Sequence, residues 1–282
     1  MGIGGDSDGG PDYVLVGHVA RDVFGATSRL GGTVVYAGAT AARLGRRVGI
    51  VTAGGVSLSE HAALAGAAVA SLPSATMTTF AFFERPEGRV LRLLDRAAPL
   101  TERNVPTAWR TAEIVHLAPI VNEMPTDMAD SFPAARVFAT PQGWLRSIAP
   151  DGTVRPAPDR ALDLPLDRFA ALVVSAEDLA GDVEVARRMA ARVPVLVLTR
   201  GSDGCSVYRA AGVIDVPASR ARAVDTTGAG DVFAAAFFIR LVETDDPVES
   251  AYFASCAAAL AVEGYGTSGT PDREAIAARR AG

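Results

Sequence analysis

The chain of 282 residues carries 27 basic and 32 acidic side chains, a formal net charge of −5, and every basic residue is an arginine. The absence of lysine excludes the P-loop G-x-x-x-x-G-K-[ST], the protein-kinase strand lysine and Schiff-base chemistry on pyridoxal phosphate. A pI near 5.3 argues against a nucleic-acid-binding surface, and a composition of 49% hydrophobic and 21% charged residues is that of an ordinary globular protein.

Residues 1–11 open on MGIGGDSDGG, which is glycine-rich and acidic and lacks the basic and apolar regions of a signal peptide, so a frayed tail is expected. Tyr13–Gly17 reads as a first strand, Gly38–Leu44 as a helix stopped by Gly45, Val48–Ala53 as a second strand and His61–Ala70 as a further helix. Thr78–Phe83 and Arg89–Leu94 flank Arg85-Pro86-Glu87-Gly88, turn chemistry that predicts a β-hairpin. Further strands are expected at Ile114–Leu117, Arg136–Ala139, Ala171–Val174 and Val195–Leu198, with helices between most of them and a loop over Pro150–Pro165. Several strands are continuous apolar runs, which means burial on both faces and therefore a parallel sheet covered by helices on each side. The hairpin's apolar–charged alternation suits a half-exposed strand, so a small antiparallel sheet covering a cleft is expected beside the main sheet; the alternative is an edge extension of that sheet.

Cys205 and Cys256 make neither a disulfide framework nor a C-x-x-C metal site, and the three histidines show no H-E-x-x-H spacing. No charge-free apolar run of about 18 residues predicts a membrane span, and a reducing cytoplasm is the default compartment.

Chemistry concentrates in Val224–Leu241, VDTTGAGDVFAAAFFIRL. Asp225, Thr226 and Thr227 lead into Gly228-Ala229-Gly230, and Asp231 opens an almost wholly apolar run, the pattern of a helix buried on nearly all sides. Glycines ahead of such a helix leave backbone amides free and allow close approach of an anion, and the helix dipole adds to the attraction. A carboxylate in the first turn, beside a bound phosphate, can accept a proton from an attacking hydroxyl. The plain alternative is a helix-terminal charge following a tight turn.

Asp225–Asp231 matches the D-T-x-G-A-G-D signature of the PfkB, or ribokinase-like, carbohydrate kinases, and the resemblance extends over most of residues 13–270. It implies a three-layer αβα domain over residues 12–282 with a mostly parallel central sheet and a small β-sheet lid around residues 20–34 and 78–95. It implies that Gly228, Ala229 and Gly230 form the anion hole and that Asp231 is the base. Gly31-Gly32 with the following TVVYAGATAARLG resembles the family's N-terminal signature, and Asp22 stands where the family keeps an aspartate for acceptor hydroxyls. Thr199-Arg200-Gly201-Ser202-Asp203-Gly204 is similar to the T-x-G-x-x-G nucleotide loop. Thr226, Gly264 and Gly266 are further expected on the nucleotide side, where Gly264-Tyr265-Gly266-Thr267 resembles the last loop that closes around adenine and a monovalent cation.

The chain also departs from the pattern. It has two asparagines, Asn104 and Asn122, and Tyr36 stands where the signature usually has an acceptor-binding asparagine. The N-x-x-E metal motif falls at Ser175-Ala176-Glu177-Asp178, leaving Glu177 or Asp178 to hold the water shell of Mg²⁺. Asn122 and Glu123, and Gln142, Trp144 and Arg146 in P-Q-G-W-L-R, follow strand ends and are candidates for the acceptor rim. Together with H-L-A-P at His116–Pro119 they resemble the inositol-kinase-like branch of the family. The expected activity is transfer of a phosphoryl group from ATP, with Mg²⁺ and room for a monovalent cation, to a hydroxyl of a small sugar, inositol-like polyol or nucleoside, by a monomer or homodimer. The rival expectation is a catalytically inactive nucleotide- or sugar-binding regulator on the same fold. A dinucleotide-dependent oxidoreductase would need G-x-G-x-x-G after the first strand, where Gly17-His18-Val19 stands instead.

Overall fold

Nine strands run side by side through the middle of the molecule, and helices and short helical turns cover both faces. The computed structural model describes residues 9–54, 61–85 and 88–281. The elements are, in chain order, β1 (Tyr13–Val16), β2 (Ala20–Phe24), β3 (Thr27–Gly31), α1 (Thr33–Arg43), β4 (Val48–Ala53), β5 (Ala68–Leu72), β6 (Thr78–Arg85) and β7 (Gly88–Asp95). They continue with β8 (Ile114–Leu117), β9 (Arg136–Ala139), β10 (Arg146–Ile148), β11 (Val154–Pro156), β12 (Ala171–Ser175), α2 (Val183–Ala190), β13 (Val195–Thr199), β14 (Cys205–Arg209) and β15 (Gly212–Val216). The chain closes with α3 (Ala229–Thr244), α4 (Pro247–Val262) and α5 (Arg273–Ala281).

The main sheet has the order β15-β14-β13-β12-β9-β8-β1-β4-β5 and is parallel except at β14 and β15. Every residue of β1, β4 and β8 is buried, as their apolar runs require in a sheet covered on both faces. On one face α1, α3 and α4 pack a core that includes Val35, Phe237, Phe238 and Ala254; on the other, Phe132, Phe169, Met189 and Trp144 fill the space. Helix α3 is enclosed from Val232 to Ile239, as its sequence predicts. Parallel strands place their carboxyl ends together, so the loops after β1, β8, β9, β12 and β13 gather along one edge.

A separate four-stranded sheet, β3-β2-β6-β7, lies beside that edge. It is the expected cover and not an edge extension, but it is mixed, because β2 pairs with β6 in parallel. Phe80 and Ala20 on this sheet pack against Ile120 and Val121 from the loop after β8, which ties the cover to the main domain.

Four local expectations change. His61–Ala70 is not a helix: one 3-10 turn at Ala62–Leu64 ends at Gly66, whose φ of +92° breaks it, and Ala68–Leu72 pairs with β4 as an edge strand. Alanine's helix preference yields there to the unpaired edge of β4. The connections from β8 to β9 and from β9 to β12 use 3-10 turns in place of full helices, in segments rich in proline. Pro150–Pro165 contains β11, which pairs with β10, and the Gly152 carbonyl accepts from the Leu93 N–H, so this hairpin extends the cover. Helix α1 begins at Thr33, earlier than expected. The tail expected over residues 1–11 lies mostly outside the described residues. Among the described residues no helix is long and apolar enough to cross a membrane.

Candidate active site

Gly228 takes a left-handed conformation, φ 79° and ψ 0°, directly ahead of α3. A Cβ there would lie 2.3 Å from the Tyr36 ring, so both the turn and the packing demand glycine. The Ala229 N–H bonds the Thr226 carbonyl, whereas the N–H groups of Gly230 and Asp231 find no backbone acceptor among the described residues. Gly230 is exposed and Asp231 half-buried, so these first-turn donors and the positive end of the α3 dipole open to the cleft. Burial raises the Asp231 carboxyl to about 6 against a hydrogen bond from Thr33 and the attraction of Arg146, with Asp178 and Asp22 pushing it further up. At neutral pH it is an ionised carboxylate with the affinity for a proton that a general base needs.

Asp225, at the other end of the loop, behaves oppositely. Burial works against its charge, but Arg29, the Thr227 N–H and the Gly266 N–H hold it down at about 2. Arg29 Nη1 donates to Asp225 Oδ2 at 2.6 Å, and Nη2 to Thr227 Oγ1 at 2.6 Å. Gly266 donates to Oδ2 at 3.1 Å and Thr227 to Oδ1 at 3.0 Å.

On the cover, Asp22 in β2 stands opposite Arg29 in β3. Asp22 is only 5% exposed, and burial lifts its carboxyl to about 6 against the pull of Arg29 and Arg146. A Cβ at Gly31 would fall 2.0 Å from the Asp22 carboxylate, which explains the first glycine of the pair; Gly32, at φ 87°, is the residue from which α1 starts. Tyr36 is 2% exposed and lies against the anion loop, with its hydroxyl raised to about 12 by burial. Its ring packs on Gly228 and so braces the anion loop.

The loops after β8 and β9 pack back to back at Gly143, whose N–H bonds the Pro119 carbonyl. Arg146 leaves them to stack 5.7 Å from the Phe80 ring, with Nη1 on the Ile120 carbonyl. Burial works against its charge, and Asp178, Glu123, Asp231 and Asp22 together favour it. Asn122 spends its side-chain amide on the Arg146 carbonyl, and Gln142 sits half-buried on the same rim. Glu123 does not face an acceptor: it is 1% exposed, and its oxygens accept from the N–H groups of His18, Ile120 and Val121. Trp144 is a core anchor, its indole N–H on the Met124 carbonyl.

On the donor side, Thr199 ends β13 and pairs with Ser175 at the end of β12. Gly201 is exposed at φ 56°, and Gly204 runs against the Val216 carbonyl so closely that a Cβ would lie 2.2 Å away. Gly264 packs on Gly269, Gly266 touches Asp225, and Thr226 is exposed. Asp178 Oδ2 accepts from the Ser175 N–H and hydroxyl, and the residue lies within electrostatic reach of Asp231 and Arg146. Glu177, next to it, is exposed.

The fold thus brings together Asp22, Tyr36, Asp178 and the two ends of the anion loop, Asp225 and Asp231, from four segments of the chain. Arg29 and Thr33 were not anticipated. The lysine-free composition says that a fixed side-chain cation here would be an arginine, but with 27 arginines it does not single out Arg29.

Residues 168–273 match the pfkB family carbohydrate kinase model. Ribokinase from Lactococcus lactis is 31% identical over 121 residues, 40% of this chain and 39% of the relative, and ribokinase from Bacillus subtilis is 38% identical over 74 residues, 26% of this chain and 25% of the relative. The sequence alignments therefore span less than two fifths of these curated relatives. The structural likeness is far wider. A pyrophosphate-dependent kinase of the ribokinase family, complexed with a pyrophosphate analogue and myo-inositol, superposes with a TM-score of 0.78 at 22% identity, covering 94% of this chain and 99% of that one. Arabidopsis thaliana ribokinase, complexed with ribose and ATP, gives 0.72 at 20% identity, covering 96% and 98%. The chain thus has the ribokinase-like fold, and the stretch that holds its anion loop, residues 168–273, is similar to the pfkB family of carbohydrate kinases.

Proposed function

We propose that the protein transfers the γ-phosphoryl group of ATP to a hydroxyl of a small sugar, inositol-like polyol or nucleoside. The observation that carries this reading is the half-buried Asp231 carboxylate next to the free N–H groups at the start of α3, with a second carboxylate, Asp22, facing the same cleft from the cover. Asp22 and the rim of Asn122, Gln142 and Arg146 hold the acceptor. Asp231 takes the hydroxyl proton as the acceptor oxygen bonds to phosphorus and the bridging oxygen leaves with ADP. The Gly228–Gly230 turn and the α3 dipole stabilise the charge on the equatorial oxygens, where one such donor is worth about 3–4 kcal/mol. Asp178, with one oxygen free of Ser175, would hold the hydrated Mg²⁺ that neutralises the donor's phosphates; Glu177 is too exposed to share that task.

A nucleotide suits the donor side better than bare pyrophosphate, because Val224 (59% exposed) and Tyr265 (71% exposed), the chain neighbours of the bonded pair Asp225 and Gly266, leave apolar surface open there. Adenine would use such a surface, and pyrophosphate has no group to place there. The test is a matrix of ATP and pyrophosphate against ribose, fructose, myo-inositol and nucleosides in Mg²⁺, with the phosphorylated product read by ³¹P NMR. ATP is expected to phosphorylate at least one acceptor. Nucleotide binding without transfer to any acceptor would favour the regulator, and transfer from pyrophosphate alone would overturn the donor.

A further inference from the structure

Asp225 joins three parts of the molecule. Arg29 reaches it from the cover, Thr227 belongs to the anion loop, and Gly266 belongs to the last loop before α5. The guanidinium grips both Asp225 oxygens, at 2.6 and 3.4 Å, and the Thr227 hydroxyl at 2.6 Å. It lies 4.9 Å over the Phe24 ring of β2 and 6.0 Å from the Tyr265 ring, so two aromatic side chains flank it. The Asp225 side chain is only 10% exposed.

Family resemblance places a monovalent cation beneath this last loop, and the residues here do not fit one. A bound alkali cation needs converging oxygens, but the Asp225 carboxylate is met by two backbone N–H groups and two guanidinium N–H groups. The positive charge at the junction is already present, carried by a side chain, and a second cation there would be repelled.

We propose that Arg29 is a positioning residue that supplies, from the cover, the fixed cation holding the anion loop and the last loop in register. The phosphate site then needs no diffusible monovalent cation, and it is fully shaped only when the cover is seated. This builds on the kinase reading, but its first test does not depend on catalysis. Wild-type protein is expected to show the same melting temperature, and the same activity on its best acceptor, in potassium chloride and in tetramethylammonium chloride of equal ionic strength. Arg29→Ala is expected to melt lower in tetramethylammonium and to recover part of the loss in potassium or in dilute guanidinium. Its kcat/KM should fall roughly 10–100-fold, the effect of one charge-assisted pair, and rise again with the same ions. Arg29→Gln keeps the length and loses the charge, and serves where the alanine variant fails to fold. Potassium dependence in the wild type, or a variant as stable as wild type and indifferent to the added ion, would overturn the proposal. Should no acceptor be phosphorylated by any form, the kinase reading falls while the melting comparison still decides the role of Arg29.

Discussion

The Asp225–Asp231 loop carries one carboxylate at each end, and the fold treats them in opposite ways. Asp225 is surrounded by donors, and its carboxyl is held at about 2; Asp231 is half-buried within electrostatic reach of Asp22 and Asp178, and its carboxyl is raised to about 6. Both belong to one short motif at the head of the same helix. The difference lies in what arrives from elsewhere: Arg29 and Gly266 at one end, Thr33, Asp22 and Asp178 at the other. A carboxylate satisfied by four donors is a strut, whereas one kept hungry for a proton can do chemistry.

The severest way to break this contrast is to disturb the turn between the two ends. Gly228→Ala forces a Cβ into the Tyr36 ring at a positive φ. Turnover should fall roughly 10²–10³-fold, the effect of misplacing anion-hole donors, with a stability loss of about 1–3 kcal/mol from the strained backbone. Steady-state kinetics and thermal melting check the two parts.

Acidity at the second end can be read directly. Asp231 and Asp22 both lie near 6 and influence each other, so the acid limb of kcat/KM belongs to the pair. The rate constant should drop about tenfold per pH unit below pH 6, and Asp22→Asn should move that limb downward. A limb that stays near 4 in the wild type would contradict the burial account.

A smaller effect sets the two aspartates against each other in stability. Asp231 binds its proton more tightly folded than unfolded, so its contribution is fully present below about pH 4 and is lost as pH rises through 6. Asp231→Asn should therefore stabilise the ligand-free protein by about 1–2 kcal/mol at pH 8, and the gain should vanish near pH 4. Asp225 has a lowered pKa, so its contribution is present above about pH 4 and lost as pH falls through 2. Asp225→Asn should destabilise by about 1–2 kcal/mol at neutral pH, a figure reduced for partial solvent screening. Denaturant melts at pH 8 and pH 4.5 check the opposite signs.

Much of this arrangement is legible along the chain. The glycines and the apolar run after Asp231 announce an anion site at the head of a buried helix, because local geometry and helix packing suffice to specify it. Gly31 and Asp22 are close in sequence, and their contact follows from a short hairpin. Arg29 could not be read in the same way: its partner Asp225 is 196 positions distant, and only the folding of the cover over the sheet brings them together. Glu123 looked like a rim carboxylate because it follows a strand, and nothing local reveals that three backbone amides would claim it. Ala-rich His61–Ala70 misled for a related reason, since the pairing partner that turns Ala68–Leu72 into a strand is β4.

The base assignment of Asp231 is tested most directly by Asp231→Asn, with donor binding measured by calorimetry and phosphoryl transfer measured in a single turnover on the best acceptor. Donor affinity should stay within about threefold of wild type while the transfer rate falls roughly 10²–10⁴-fold, the worth of a positioned general base. Transfer at a near wild-type rate would contradict the account.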